Sequence, residues 1–364
     1  VVAAAAVVLS ATLSGCSTIG GITLGGDAQH TSLVGVALPT TTSDRWIADG
    51  KNVTAQLEAL GHAVDLEYAE NDVPTQVEQI SAMIAEGADA LIIGAIDGTK
   101  LKDVLAKAAA ENIPVISYDR LIRDSPDIAY YASFDNAKVG VQQGTTLLQG
   151  LGVLDAAGEP TGERGPFAVE LFAGSPDDNN ATVFYDGAMG VLQPYLDSGV
   201  LTVPSGQTDF ATIATQAWDG KVAAQRMTTL LDGPAAGVRL DGILSPYDGI
   251  SRAVLDVLAP LGYGSTVPWP VTTGQDAEAA SVKSIMGGQQ YSTIYKDTRQ
   301  LAEVAVSMVD ALLQGTEPET NDITSYDNGT GAVPAYLLAP QVVTADRVTA
   351  VLVDSGYYTA EELS

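Results

Sequence analysis

A two-lobed α/β architecture, each lobe a doubly wound parallel sheet, is predicted by three observations. The chain's 364 residues exceed the ~250–300 at which a single hydrophobic core stops growing. From Leu33 onward, short apolar runs alternate with longer segments of helical period, the pattern of parallel strands joined by crossover helices. That alternation comes in two similar series, one for each lobe.

In the first series the strand runs are LVGVALP (33–39), VDLEYA (64–69), ALIIGAI (90–96), PVISYD (114–119) and YYASF (130–134). Helices are expected near 45–60, 75–87, 99–111 and 137–151. The segment Thr75–Gly87 specifies both its buried face and its stop: Val77, Ile80, Met83 and Ile84 recur at helical intervals, and Gly87 follows the last turn. The second series reads FAVELFAG (167–174), VLTVPS (200–205), GILSPY (242–247), PVTTG (270–274) and STIYK (292–296), each flanked by helix. Between the two, AAGEPTGERGPF (156–167) is rich in Gly and Pro and reads as a surface excursion. A last helix is expected over Thr298–Gln314, followed by the tail VPAYLLAP and a short helix.

Charge excludes some partners. Lys and Arg total 17 against 45 Asp and Glu, a formal net charge of -28, which repels phosphate backbones and anionic lipid head groups. Nucleic acid is therefore not expected as a partner, and the acidity serves solubility. His30 and His62 are too isolated to form a metal cluster or a catalytic dyad. No metal and no cofactor is expected.

The single cysteine, Cys16, rules out an internal disulfide. Ahead of it VVAAAAVVLSATLSG is too short to span a membrane at ~20 residues, but suits the apolar region of a signal peptide. The missing initiator Met and basic leader suggest a truncated start. Leu13-Ser14-Gly15-Cys16 resembles the lipobox of bacterial lipoproteins, which implies lipidation at Cys16. Residues 16–31, rich in Gly, Ser and Thr, then form a flexible tether. The expected location is exported, held by lipid at the outer face of the cytoplasmic membrane or in the periplasm.

In doubly wound sheets, ligands sit outside the carboxyl ends of the strands. Thr40 to Trp46 follow the first strand, Asp97-Gly98-Thr99 the third and Asp119-Arg120 the fourth. In the second series come SPDDNN (175–180), Tyr247-Asp248, Gln275-Asp276 and Lys296, with Trp218 in the Gln216–Gly220 turn. Almost every strand end offers a carboxylate, an amide or a cation.

No arrangement matches a familiar catalytic apparatus: GxSxG, Walker A, a post-strand GxGxxG and HExxH are all missing. The adjacent pair Asp177-Asp178 could serve a glycosidase only if its carboxyls stood ~5–9.5 Å apart across a bond, and Asp178, just ahead of a helix, suits a cap. A calcium loop is missing too. A neutral polyol accounts for the set better. Each sugar hydroxyl donates and accepts, so it calls for carboxylates beside Arg, Lys or Asn, with aromatic rings over the C–H faces.

The stretches SDRWIADG, GAIDGTKLKDVL, ISYDRLI, YYASFDNAKVG, ELFAGSPDDNNA, DGAMGVLQPYLDSG, LSPYDG, TGQDAEAASVKSI, YSTIYKDTRQLA and VPAYLLAPQVVT resemble, in the same order, the periplasmic aldose-binding proteins of bacterial ABC importers. The resemblance runs from about Val34 to the C-terminus, with the xylose-type and multiple-sugar-binding branch of the type I periplasmic binding proteins. It implies Arg45, Asp119, Arg120, Asn180, Asp276 and Lys296 as polar sugar contacts and Trp46 and Trp218 as the stacking pair. Asp97, Asp178, Tyr247, Asp248 and Gln275 are further candidates. At Tyr247, xylose-type members tend to have Asn, so this chain looks like the multiple-sugar members. The resemblance also implies residues 32–134 plus 297–324 as one lobe and 135–296 plus 325–364 as the other. Three crossings near Ser133–Asn136, Tyr295–Asp297 and Ile323–Asp327 would join them and hinge shut on a monosaccharide (xylose, glucose, galactose or a similar aldose). A monomer suits such closure, and the membrane subunits of an ABC importer are the expected partner. A sugar sensor signalling to a membrane receptor is the main alternative, and an exported sugar-active enzyme a lesser one.

Overall fold

The computed structural model describes residues 31–364. The leader, Cys16 and the tether as far as residue 30 lie outside the described residues.

The first lobe is built from β1 (Leu33–Leu38), α1 (Asp44–Ala59), β2 (Ala63–Tyr68), α2 (Val73–Ala85), β3 (Ala90–Ile93), α3 (Lys102–Ala110), β4 (Val115–Tyr118) and β5 (Tyr130–Phe134). The second holds α4 (Asn136–Gly150), β6 (Phe167–Leu171), α5 (Asn179–Asp197), β7 (Leu201–Thr202), α6 (Phe210–Ile213), α7 (Gly220–Asp232), β8 (Gly242–Leu244), α8 (Asp248–Leu258), β9 (Val271–Thr272), α9 (Ala279–Met286) and β10 (Ser292–Tyr295). The chain then returns through α10 (Thr298–Leu313) and β11 (Ala335–Leu338) to the first lobe, and ends in the second after β12 (Gln341–Thr344).

The first sheet is parallel throughout, in the order β11-β5-β4-β3-β1-β2. The period of two divides its strands between two cores. Val34, Val36 and Leu38 of β1, with Ile92 and Ile116, pack against Val53 and Leu57 of α1 and Leu301, Ala305 and Met308 of α10. Ala37, Leu91, Ile93 and Val115 face Ile80 and Met83 of α2 and Leu105 of α3 on the other side. The second sheet, β7-β6-β8-β9, is also parallel. Beyond β9 runs β10, which pairs antiparallel with β12. Backbone bonds from Ile294 N to Gly274 O and from Asp276 N to Ile294 O tie β10 to the segment after β9.

Aspartates recur where strands hand over to helices. Asp135, Asp178, Asp219 and Asp297 each accept a hydrogen bond from a backbone N–H in the first turn of α4, α5, α7 and α10, an N-cap contributing ~1 kcal/mol apiece.

One boundary departs from the sequence-based expectation. Residues 325–338 pack on the first lobe rather than the second. Ala335–Leu338 pair in parallel with Tyr131–Phe134 as an edge strand, Tyr131 N bonds Pro334 O, and Tyr326, Val333 and Ala335 bury Tyr131. The third passage between lobes accordingly lies at 339–340, between β11 and β12, and not near Ile323–Asp327. The apolar tail VPAYLLAP gives no indication of which sheet edge it completes.

Candidate functional site

The carboxyl ends of the strands of both sheets face one cavity of about 420 Å³. Four segments supply its polar wall from the first lobe and the returning crossing: the loop after β1, the start of α1, the end of β4 and Lys296 after β10. The second lobe contributes the start of α5, the Trp218 turn, the start of α8 and Gln275-Asp276 after β9.

Asp119 anchors this wall. It leaves β4 in the left-handed region, at φ 59°, which an L-residue with a short polar side chain tolerates at modest cost. Its carboxylate accepts two parallel bonds from Arg45, Nη2 to Oδ1 at 2.6 Å and Nη1 to Oδ2 at 2.9 Å. Its carbonyl accepts from Tyr131 Oη, Ser133 Oγ and Asn180 Nδ2. Burial alone would raise the carboxyl's pKa, but the charges of Arg45, Lys296 and Arg120 outweigh it and hold Asp119 well below the usual carboxylate range. Lys296, itself buried, reaches Asp276 Oδ1 at 3.2 Å and Asp119 Oδ1 at 3.8 Å. Arg120 crosses between lobes: Nε meets Asp178 Oδ2 at 3.0 Å, while Nη1 donates to the carbonyls of Ala95 and Ile96. The neighbouring charges Asp119 and Arg120 thus enter one site rather than solvent.

At the heart of the wall Arg45, Arg120 and Lys296 face Asp119, Asp178 and Asp276, while Lys221, Arg252 and Asp219 also line the cavity. Asp178 acts twice, capping α5 through Asn180 N and pairing with Arg120; burial nevertheless raises its pKa, outweighing the Arg120 charge. Asn180 joins Asp119 O to Tyr131 and Asn136. Four buried atoms on cavity-lining residues have no hydrogen-bond partner among the described residues: Arg45 Nε, Trp218 Nε1, Gln275 Oε1 and Asp276 Oδ1. Buried polar atoms without partners are rare in native folds.

Both expected tryptophans line the cavity. Trp46 belongs at once to the first core and to the wall, with the guanidinium carbons of Arg45 and Arg120 at 4.9 and 5.3 Å from its ring centroid. Trp218 is set by two left-handed residues, Ala217 at φ 54° and Trp218 at φ 57°. It packs edge-on against Phe184 and Tyr247. Gly174 makes room for it, since a Cβ there would stand 2.0 Å from Trp218 Cη2.

Two candidates stand apart from the cavity. Asp97 turns back on its own loop and accepts from Thr99 N and Oγ1 at 2.8 and 2.7 Å, the local bonding that short polar side chains favour in turns; the carbonyls of Ala95 and Ile96 face Arg120 instead. Asp248 is fully buried beneath the floor, accepting from Glu278 N at 2.9 Å and Gln290 Nε2 at 2.8 Å. Burial and the nearby Glu278 charge push its carboxyl well up.

Other contributors escaped the sequence reading. Phe184 lines the cavity one helical turn after Asn180, a spacing of four that the α5 register could have exposed. Asp49, four residues after Arg45, meets Arg45 Nε at 3.1 Å and accepts from Tyr118 Oη at 2.5 Å. Arg252, Ser43 and Thr42 line the wall as well.

Comparison with known proteins gives the family. Residues 34–317 match the family model described as periplasmic binding protein domain. The chain belongs to that family. This binding protein is 52% identical over 333 residues to the multiple sugar-binding periplasmic protein SbpA of Azospirillum brasilense, covering 91% of each chain. It is 50% identical over 337 residues to the multiple sugar-binding periplasmic receptor ChvE of Rhizobium radiobacter, covering 92% of this chain and 93% of that one. Among solved structures, an ABC transporter solute-binding protein from Clostridium phytofermentans with bound β-D-glucose superposes with a TM-score of 0.85 at 45% identity, covering 92% of this chain and 100% of the other. The binding protein thus shares its two-lobed α/β fold with proteins of the type I class.

Proposed function

We propose that this binding protein captures a neutral aldose between its lobes, unchanged, and delivers it to the membrane subunits of an ABC importer. The observation that carries this reading is the network of Arg45, Arg120 and Lys296 paired with Asp119, Asp178 and Asp276, drawn from both lobes. Paired in this way, these six groups offer donors and acceptors in number while offsetting one another's charge, which suits hydroxyl groups. Gln275 Oε1, Asp276 Oδ1 and Trp218 Nε1 make no hydrogen bond among the described residues, and sugar hydroxyls would supply one. Trp46, Phe184 and Trp218 offer apolar faces to the ring's C–H groups. SbpA and ChvE, both multiple sugar-binding proteins, and the glucose in the Clostridium structure support the ligand class. Tyr247 favours a multiple-sugar range over strict xylose recognition. Asp97 and Asp248 drop out as contacts.

The periplasmic relatives support export. Lipid attachment at Cys16 would keep the protein at the membrane, and closure within one chain suits a monomer. A ligand favours closure by its differential affinity for the closed form, and contacts from both lobes supply that difference. A second reading, a sensor presenting its closed form to a membrane receptor, is favoured by the similarity to ChvE, described as a receptor.

A thermal-shift panel of neutral monosaccharides on the full chain tests the proposal. A matching sugar at 100 times its dissociation constant stabilises by ~2.7 kcal/mol. No shift with any neutral aldose, or recovery of a chemically altered sugar, would overturn it.

A further inference from the structure

Glu278 is almost wholly buried at the cleft, yet it is not a wall residue. Three side-chain donors converge on its carboxylate, two from the start of α8 and one from the start of α1. Tyr247 Oη donates to Oε1 at 2.6 Å, Arg252 Nη2 donates to Oε2 at 2.5 Å, and Ser43 Oγ donates to Oε1 at 3.4 Å. Its backbone is fixed as well, since Glu278 N donates to the buried Asp248 carboxylate. The preceding residues Asp276 and Ala277 both adopt left-handed backbone, at φ 87° and 49°. That conformation is costly for residues with a Cβ, and persists only where surroundings enforce it.

These partners divide unequally between the lobes. Tyr247, Arg252, Asp248 and Glu278 all belong to the second lobe, whereas Ser43 stands at the start of α1 in the first. The second-lobe bonds hold the carboxylate ready irrespective of the first lobe; the Ser43 bond exists only when the lobes meet. Because Tyr247 and Arg252 already immobilise Glu278, closing onto it orders little further side-chain freedom. Ser43 occupies the N-cap position of α1 but its hydroxyl makes no cap bond, which leaves it available to the other lobe.

We propose that Glu278 is a preformed latch: a positioning residue that accepts Ser43 across the cleft, stabilises the closed form without touching the sugar, and slows the sugar's release. This rests on the aldose-binding reading for its kinetic consequence, but not for its conformational one. The same carboxylate orients Tyr247, whose ring stands edge-on to Trp218 at 6.2 Å between centroids, so the latch also steadies the aromatic wall.

The test uses the full chain and D-glucose as probe, with Ser43→Ala, Glu278→Ala and the double variant. Ser43→Ala removes no helix cap, so a folded protein is expected. Stopped-flow tryptophan fluorescence should show glucose released about fivefold faster from Ser43→Ala, the worth of one net hydrogen bond. The double variant should release no faster than Glu278→Ala alone, because removing the carboxylate already breaks the Ser43 bond. Small-angle scattering of the sugar-free protein should give a larger radius of gyration for Ser43→Ala than for wild type. Additive effects on release, or unchanged sugar-free scattering, would overturn the latch. Should wild type bind no glucose, the sugar-free scattering alone decides the latch.

Discussion

Arg45 and Asp119 meet through two parallel hydrogen bonds, 2.6 and 2.9 Å long, deep in the cleft. The fork is planar and charge-assisted, a geometry that Lys cannot reproduce. Asp49 and Asp276 lie on the same guanidinium at 3.1 and 3.9 Å, so one cation organises three carboxylates.

Removing that cation should be costly. Arg45→Ala leaves Asp49 and Asp119 buried without their main counter-charge, and breaking a buried pair typically costs ~3–5 kcal/mol. Urea denaturation of the sugar-free protein is expected to show a loss of this size. A loss below about 1 kcal/mol would mean that water compensates both carboxylates.

Asp276 is the second-lobe acceptor whose Oδ1 has no hydrogen-bond donor, although Lys296 Nζ lies 3.2 Å away. Asp276→Ala should weaken monosaccharide binding by ~1–3 kcal/mol, the cost of stranding buried donors. Calorimetry with unchanged affinity in this variant would remove Asp276 from the site.

Much of this site was legible before any coordinates. Strand ends were readable because apolar runs stop abruptly, so Asp119, Arg120, Gln275, Asp276 and Lys296 could be placed on one rim. The direction in which a side chain turns was not. Asp97 and Asp248 occupy strand ends as surely as Asp119 does, but one bonds its own turn and the other lies beneath the floor. Glu278 stayed hidden because its partners Ser43, Tyr247 and Arg252 are brought together only by the tertiary fold. The tail VPAYLLAP joins the first lobe rather than the expected second for a similar reason: an apolar tail completes whichever sheet edge is open to it.

Gly174→Ala tests how Trp218 is seated. A Cβ would stand 2.0 Å from Cη2 and 2.4 Å from Cζ2 of the indole, and overpacking of this kind costs ~1–3 kcal/mol. The ring should be driven toward the cavity, lowering sugar affinity at least about tenfold and shifting tryptophan emission while the fold persists. Wild-type affinity in this variant would show that the indole has another place to go.

Asp49 predicts a pH dependence. Burial raises its pKa from 3.8 to about 7, against the opposing charge of Arg45 and the Tyr118 hydroxyl. A carboxyl with a folded pKa above its unfolded one binds more protons in the native state, so stability falls as pH rises through that window. Asp49→Asn cannot titrate. The melting temperature of the variant minus that of wild type should therefore increase between about pH 5 and about pH 8. Scanning fluorimetry giving a flat or decreasing difference would show that Asp49 stays ionised throughout.

Titration calorimetry of D-glucose against the wild-type protein, Arg120→Ala and Asn180→Ala probes the convergence of the two lobes most directly. The expected result is saturable one-to-one binding to wild type, weakened by at least about tenfold in each variant, since one group lies on each side of the cleft. Undiminished binding to Asn180→Ala and Arg120→Ala alike would contradict it.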